Sequence, residues 1–128
     1  MSELDVAVVS AERQIWSGKA RLVITRTTEG DLGLLPGHEP MLANLATAPI
    51  TIRTIDGDTV LGAVHGGFIA MSGNSVSILA ETAELGADVD VDRARRAMAA
   101  SEHQEDMKAK AAYERALARL TAAGEMAK

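Results

Sequence analysis

The chain has no cysteine, and of its 128 residues only one each is Trp, Tyr and Phe. Without cysteine there is no disulfide framework, no thiolate metal site and no cysteine nucleophile, a composition that suits a reducing compartment. With so few aromatics the core must be built from small side chains, since Ala and Val supply much of the 47% hydrophobic content. No stretch approaches the roughly eighteen consecutive apolar residues of a membrane span. The opening Met1-Ser-Glu-Leu-Asp5 is acidic and lacks the apolar run of a signal peptide. These absences predict a soluble domain of ordinary size.

Catalytic signatures are missing as well. There is no Gly-x-x-x-x-Gly-Lys-Ser/Thr loop, no Gly-x-Gly-x-x-Gly and no Gly-x-Ser-x-Gly. His38, His65 and His103 lie 27 and 38 residues apart, so none shares a strand or helix turn with another, and no metal site is expected. His65, beside Gly66-Gly67, reads as a strand-end residue rather than a base. Glu81 and Glu84 read as an exposed pair at a strand end. The chain is not expected to turn over a substrate by itself.

Charge divides the chain. The net charge is −5. Residues 1–87 hold ten acids and five bases, whereas residues 88–128 hold eight of each. An acidic body argues against nucleic acid as a partner, because phosphate binding relies on clustered Lys and Arg. The arginines that do cluster, Arg93, Arg95, Arg96, Arg115 and Arg119, lie in the neutral tail.

Periodicity changes at the same place. Up to residue 87 it is two: Leu4, Val6 and Val8 alternate with Asp5 and Ala7, Ile50 and Ile52 with Thr51 and Arg53, Val76 and Ile78 with Ser75 and Ser77. Turn signals recur at Ser17-Gly18, Glu29-Gly30, Asp56-Gly57 and Ser72-Gly73-Asn74, with Asp56-Gly57 read as a type I′ hairpin. Short strands at this spacing predict an antiparallel β-sandwich or barrel. No βαβ unit is visible.

After Asp88 the period becomes helical. Val91, Ala94, Ala97 and Met98 share one face, and Tyr113, Ala116, Leu117 and Leu120 repeat the spacing beyond a polar Glu102–Asp106 stretch. Asp90 or Asp92 is a candidate cap for the first helix, and Gly124 a candidate stop for the second. Two helices of about thirteen and sixteen residues in an antiparallel hairpin follow. The architecture is therefore α+β: a β domain over 1–87 and a helical hairpin over 88–128. Mostly alanine at its facing positions, that hairpin must lean on the β domain, a partner or a ligand, because each buried methyl contributes only about 0.8 kcal/mol.

One stretch stands apart. Glu29-Gly-Asp-Leu-Gly-Leu-Leu-Pro-Gly-His-Glu-Pro40 holds three glycines and two prolines. It is expected to form a rigid loop displaying Asp31, His38 and Glu39, the kind of surface that docks a partner.

Three segments together carry a resemblance: Glu29–Pro40; Gly66-Gly67-Phe68 followed by Val76–Glu84; and Asp88-Val-Asp-Val-Asp-Arg-Ala94. In this order and spacing the chain resembles the epsilon subunit of F-type ATP synthases along almost its whole length. That resemblance implies a sandwich of about ten strands followed by a helical hairpin. It implies a non-catalytic rotor subunit of the central stalk, which couples proton flow through the c ring to ATP synthesis. The partners it implies are the gamma subunit and the c ring, with the alpha/beta head a further candidate for the tail. The site would be the cytoplasmic face of a bacterial plasma membrane, reached only through the complex.

On the same template, Asp31, His38 and Glu39 would meet the c ring or gamma, Asp31 standing where the family often has the longer Glu. No cofactor is required, but some relatives bind ATP without hydrolysing it through an Ile/Leu-Asp-x-x-Arg-Ala pattern. Here that pattern reads Val89-Asp90-Val91-Asp92-Arg93-Ala94, with Val in place of Ile or Leu. The implied ATP contacts are Glu84, Val89, Asp90, Arg93, Ala94, Arg115 and Arg119. The second helix is shorter than in long-tailed relatives, which argues against deep reach into the head. The alternative reading is a free-standing ATP-sensing module.

Overall fold

The structure, a computed structural model, describes residues 3–101 and 107–124. Its strands are β1 (Leu4–Ser10), β2 (Gln14–Thr27), β3 (Gly30–Leu34), β4 (Met41–Asn44), β5 (Ala48–Thr54), β6 (Thr59–Ser72) and β7 (Ser75–Leu85). A single 3-10 turn, Gly86–Asp88, leads to helices α1 (Val91–Ser101) and α2 (Met107–Ala122). The whole polar Glu102–Asp106 connection, His103 included, lies outside the described residues.

Alternation sets which face each strand buries. Leu4, Val6, Val8, Ile50, Ile52, Val76 and Ile78 all enter one core with Val23, Leu34, Val64, Ile69 and Met71. Asp5, Ser75 and Ser77, between them in sequence, face solvent. Thr51 breaks the pattern and is buried, because α2 covers the outer face of β5.

The sheet closes on itself. β1 pairs antiparallel with β2 and parallel with β7, which completes the circuit β1-β7-β6-β5-β2; β3 extends from β2, and β4 from β6. The β1–β7 pair is the departure from a purely antiparallel sandwich. Two 14-residue strands make closure possible. β2 gives its first half to β1 and its second to β3 and β5, while β6 changes neighbour from β5 to β4. The sandwich is thus built from fewer, longer strands than the turn signals implied.

Two of those signals act differently from expectation. Ser17-Gly18 lies inside β2; Gly18 is there because the Trp16 ring covers it, and a Cβ would lie 2.9 Å from that ring. At Asp56-Gly57 only Gly57 has positive φ, +92°, and Gly57 N–H donates to the Thr54 carbonyl at 3.1 Å, so the turn is not type I′. The turn with two left-handed residues is Gly73-Asn74, at φ +54° and +67°.

The helices start and stop where their caps allow. Asp90 Oδ1 accepts from Arg93 N–H at 3.0 Å, which caps α1. Gly124, at φ +82°, lets its N–H turn back to the Thr121 carbonyl. The described part of α1 has 11 residues, and α2 has 16, the length expected. α2 packs on β5 and β6, and α1 packs on α2. Part of that contact is a cluster of small side chains, Ala63 of β6 against Ala118 and Ala122. The hairpin therefore leans on the β domain across a thin apolar layer.

Candidate functional site

The end of β7 and the facing sides of α1 and α2 enclose a cavity of about 340 Å³. Glu84, Asp90, Arg93, Ala94, Arg115 and Arg119 line it, and Ala97 and Ala112 complete its walls. Of the seven residues implied as ATP contacts, only Val89 is outside the lining; it follows the 3-10 turn, its N–H bonded to the Gly86 carbonyl at 3.2 Å. Helix geometry explains the convergence. The Asp90 cap fixes Arg93 in the first turn of α1, and Arg115 and Arg119 are one turn apart on α2. Three alanines leave the space that larger side chains would fill.

Charge in this cavity favours an anion. Arg119 Nε donates to Glu84 Oε1, an ion pair that ties α2 to β7. Arg93 and Arg115 add two further guanidiniums, while one oxygen of Asp90 is engaged in the helix cap. Arginines presented from two helices suit phosphate oxygens, which guanidinium forks match geometrically.

A second cavity, about 410 Å³, shares Arg115 and Arg119 with the first and has Thr47, His65 and Thr82 in its lining. His65 is not a strand-end residue, as the sequence suggests. It lies within β6 opposite Thr82, because the strand runs on through Gly66-Gly67 and keeps one register with β7 from Gly62 opposite Leu85 to Ser72 opposite Ser75. Both glycines have positive φ, and a Cβ on Gly67 would lie 2.0 Å from the Leu79 carbonyl oxygen. His65 is 6% exposed, and neither ring nitrogen has a hydrogen-bond partner. Burial first, then the charges of Arg119 and Arg115, push its pKa down to about 4, so it is neutral at pH 7.

Of Glu81 and Glu84, only the first is exposed as expected, with its carboxylate over Gly66; Glu84 is half-buried under Arg119. Sequence reasoning missed His65; the available signal was its place two residues after Ala63, on the face that α2 covers.

Glu29–Pro40 is only partly a loop. Gly30–Leu34 is strand β3, with Leu34 in the core, and the connection proper begins at Leu35. Asp31 stands opposite Arg26 and pairs with its Nε at 3.0 Å, both exposed. Gly37 N–H donates to Asn74 Oδ1 at 2.8 Å, which anchors the turn to the β6–β7 hairpin. His38 and Glu39 are exposed, with His38 Nδ1 2.8 Å from the Glu39 carbonyl oxygen. The structure does not bring the three together: Asp31, at the start of β3, lines a cavity with Leu117 and Thr121 of α2, whereas the turn that carries His38 and Glu39 lies beyond the other end of β3, tied to Asn74 at the β6–β7 hairpin.

A further surface was not singled out from sequence. Phe68 and Leu79 are directly opposite across β6 and β7, and Leu42 of β4 lies on the same outer face; they are 50%, 52% and 72% exposed. An apolar row on an outer sheet face marks an interaction site. Among the described residues, no group of His, Asp and Glu could hold a metal ion, and no helix is long and apolar enough to cross a membrane.

Comparison with known proteins gives a consistent picture. The family model for the ATP synthase delta/epsilon chain β-sandwich domain matches residues 3–86. The ATP synthase epsilon chain of Streptomyces coelicolor is 57% identical over 95 residues, 74% of this chain and 77% of that one. That of Streptomyces griseus is 50% identical over 121 residues, 94% of this chain and 95% of the other. Among solved structures, a chain of the Euglena gracilis mitochondrial ATP synthase superposes with a TM-score of 0.74 at 18% identity, covering 98% of this chain and 79% of that one. A chain of the central stalk and c-ring structure of the Tetrahymena thermophila enzyme gives 0.64 at 16%, covering 96% of each. At these identities the two structures speak to fold alone.

Proposed function

The chain belongs to the epsilon-chain family of ATP synthases, and on that premise we propose that it works in the rotor, coupling proton flow through the c ring to ATP synthesis. It is a non-catalytic subunit of the complex. The observation that carries a docking role is the exposed apolar row of Leu42, Phe68 and Leu79 on a rigid sheet. Such a row fits the gamma subunit of the stalk, and the exposed polar side chains of Asp31, His38 and Glu39 fit the polar loops of the c ring. With relatives from Streptomyces and Rhodococcus, the complex would present this subunit at the cytoplasmic face of a bacterial plasma membrane.

The helical hairpin is the regulatory part. Its cavity, with Arg93, Arg115 and Arg119 on two helices, is the site for ATP, bound and not hydrolysed. The arginines would meet the phosphates, and the alanine walls leave room for a flat base.

Two measurements test this. Affinity-tagged chain should be recovered from membranes with a large ATPase and should resist buffer washes. Recovery as free soluble chain would favour the nucleotide sensor instead. Calorimetric titration of ATP should show saturable binding that Arg93→Ala removes; absence of binding at millimolar ATP would leave the rotor role and end the nucleotide role.

A further inference from the structure

Glu84 stands between two donors and serves one of them. Arg119 Nε donates to Glu84 Oε1. His65 Nε2 lies 3.9 Å from that same oxygen, beyond hydrogen-bond reach. His65 is nonetheless 6% exposed with both ring nitrogens unpartnered. An orphaned polar group in a buried position is costly and rare. It is explained if its partner is present but committed elsewhere.

Arg119 is where that commitment can be broken. It lines both cavities, as does Arg115. A phosphate group entering beside them competes with Glu84 for the Arg119 guanidinium, and an anion of higher charge competes well. We propose that a phosphate-bearing anion binding at Arg115 and Arg119 takes Arg119 from Glu84, and that the freed carboxylate then accepts a hydrogen bond from His65. This rests on the reading of the arginine cavity as an anion site and names how the protein around it responds.

The exchange changes what holds the hairpin. The Glu84–Arg119 pair joins β7 to α2, whereas a Glu84–His65 bond stays within the sheet. With the anion bound, the ionic link between sandwich and hairpin passes from Glu84 to the ligand. His65 thereby keeps Glu84 satisfied in the occupied state, which makes it a positioning residue.

The charged groups that face His65 are Glu81 and Glu84 from β7 and Arg115 and Arg119 from α2. Partial neutralisation of the arginines and approach of Glu84 both favour its protonated form. Imidazole nitrogen resonances of the full-length chain report this directly, with inorganic tripolyphosphate as the probe. The titration of His65, near 4 in the free chain, should move up by about one unit or more, a tenfold gain in proton affinity.

A ligand-free arm isolates Glu84. Arg119→Gln should raise the His65 titration, partly by losing the Arg119 charge and partly by freeing Glu84, and the Arg119→Gln/Glu84→Gln double variant should keep only the first part of that rise. If the double variant rises as far as the single one, Glu84 is not the new partner and the exchange is wrong. It is equally wrong if tripolyphosphate perturbs the arginine side-chain signals while His65 is unmoved, or if tripolyphosphate fails to bind at millimolar concentration. Should Arg119→Gln disturb folding, Arg119→Lys supplies the same comparison with a weaker fork. If His65 responds to tripolyphosphate but ATP binds no better, the exchange stands and the nucleotide reading falls. If ATP binds and His65 stays silent, the reverse holds.

Discussion

Gly86 and Ala122 meet backbone to backbone: a Cβ on Gly86 would lie 2.1 Å from the Ala122 carbonyl oxygen. The 3-10 turn after β7 thus receives the last turn of α2, and together with the Ala63, Ala118 and Ala122 cluster it seats the hairpin. The seat tolerates no added methyl.

Gly86→Ala should therefore lift the end of α2 while leaving the sandwich folded. Overpacking of this kind costs about 1–3 kcal/mol. Amide hydrogen exchange is the appropriate readout, since local opening is resolved element by element. Amides of α2 should lose protection, and those of β1 and β7 should keep theirs. Unchanged protection in α2 would mean the hairpin is seated by something else.

How far the sequence foretells this fold depends on range. β1, β5 and β7 are legible because Leu4, Val6, Val8, Ile50, Ile52, Val76 and Ile78 alternate with polar neighbours, a local pattern set by the strand's own period. The parallel β1–β7 pairing is not legible, because nothing in either strand names a partner so distant in the chain. Gly18 reads as a turn and proves to be room for Trp16. In the cavity, Asp90, Arg93 and Ala94 follow from motif spacing, and Arg115 and Arg119 from helical period. His65 escapes because its burial is created by α2, which only the tertiary fold lays across β6.

Asp31→Asn tests the proposed contact of Asp31 with the c ring. The Asp31–Arg26 pair is exposed, so its loss should cost less than about 1 kcal/mol. Asn keeps the size of the side chain and avoids the like-charge opposition that Asp31→Arg would create across the strands. Urea unfolding should change little, while the amount of chain recovered with the membrane ATPase should fall several-fold. Equal recovery of variant and parent would assign Asp31 to the hairpin's own surface.

Leu79→Lys tests the apolar row. Leu79 faces Phe68 across the strands and is half exposed, so the substitution should alter stability by about 0.5–1 kcal/mol at most. A cation in the centre of an apolar contact is far more disruptive to docking, because it must be desolvated without a partner. Recovery with the stalk should drop about tenfold or more, a loss of at least 1.4 kcal/mol of binding. Undiminished recovery would move the contact away from this face.

His65 gives the chain an acid limit of known sign. Its pKa is lowered from 6.5 to about 4 in the folded state. The unfolded chain therefore binds a proton first as pH falls, and the folded state loses stability between 6.5 and 4. Below 4 both states carry the proton and the loss levels off at about 3 kcal/mol. Urea unfolding near pH 7 and near pH 4.5 should differ by about 2 kcal/mol more in the parent than in His65→Gln, whose side chain does not titrate. The comparison removes carboxylates from the account, since they are common to both proteins. Equal pH dependence would show that water or Glu84 reaches the imidazole, and that the ring is not held neutral beneath Arg115 and Arg119.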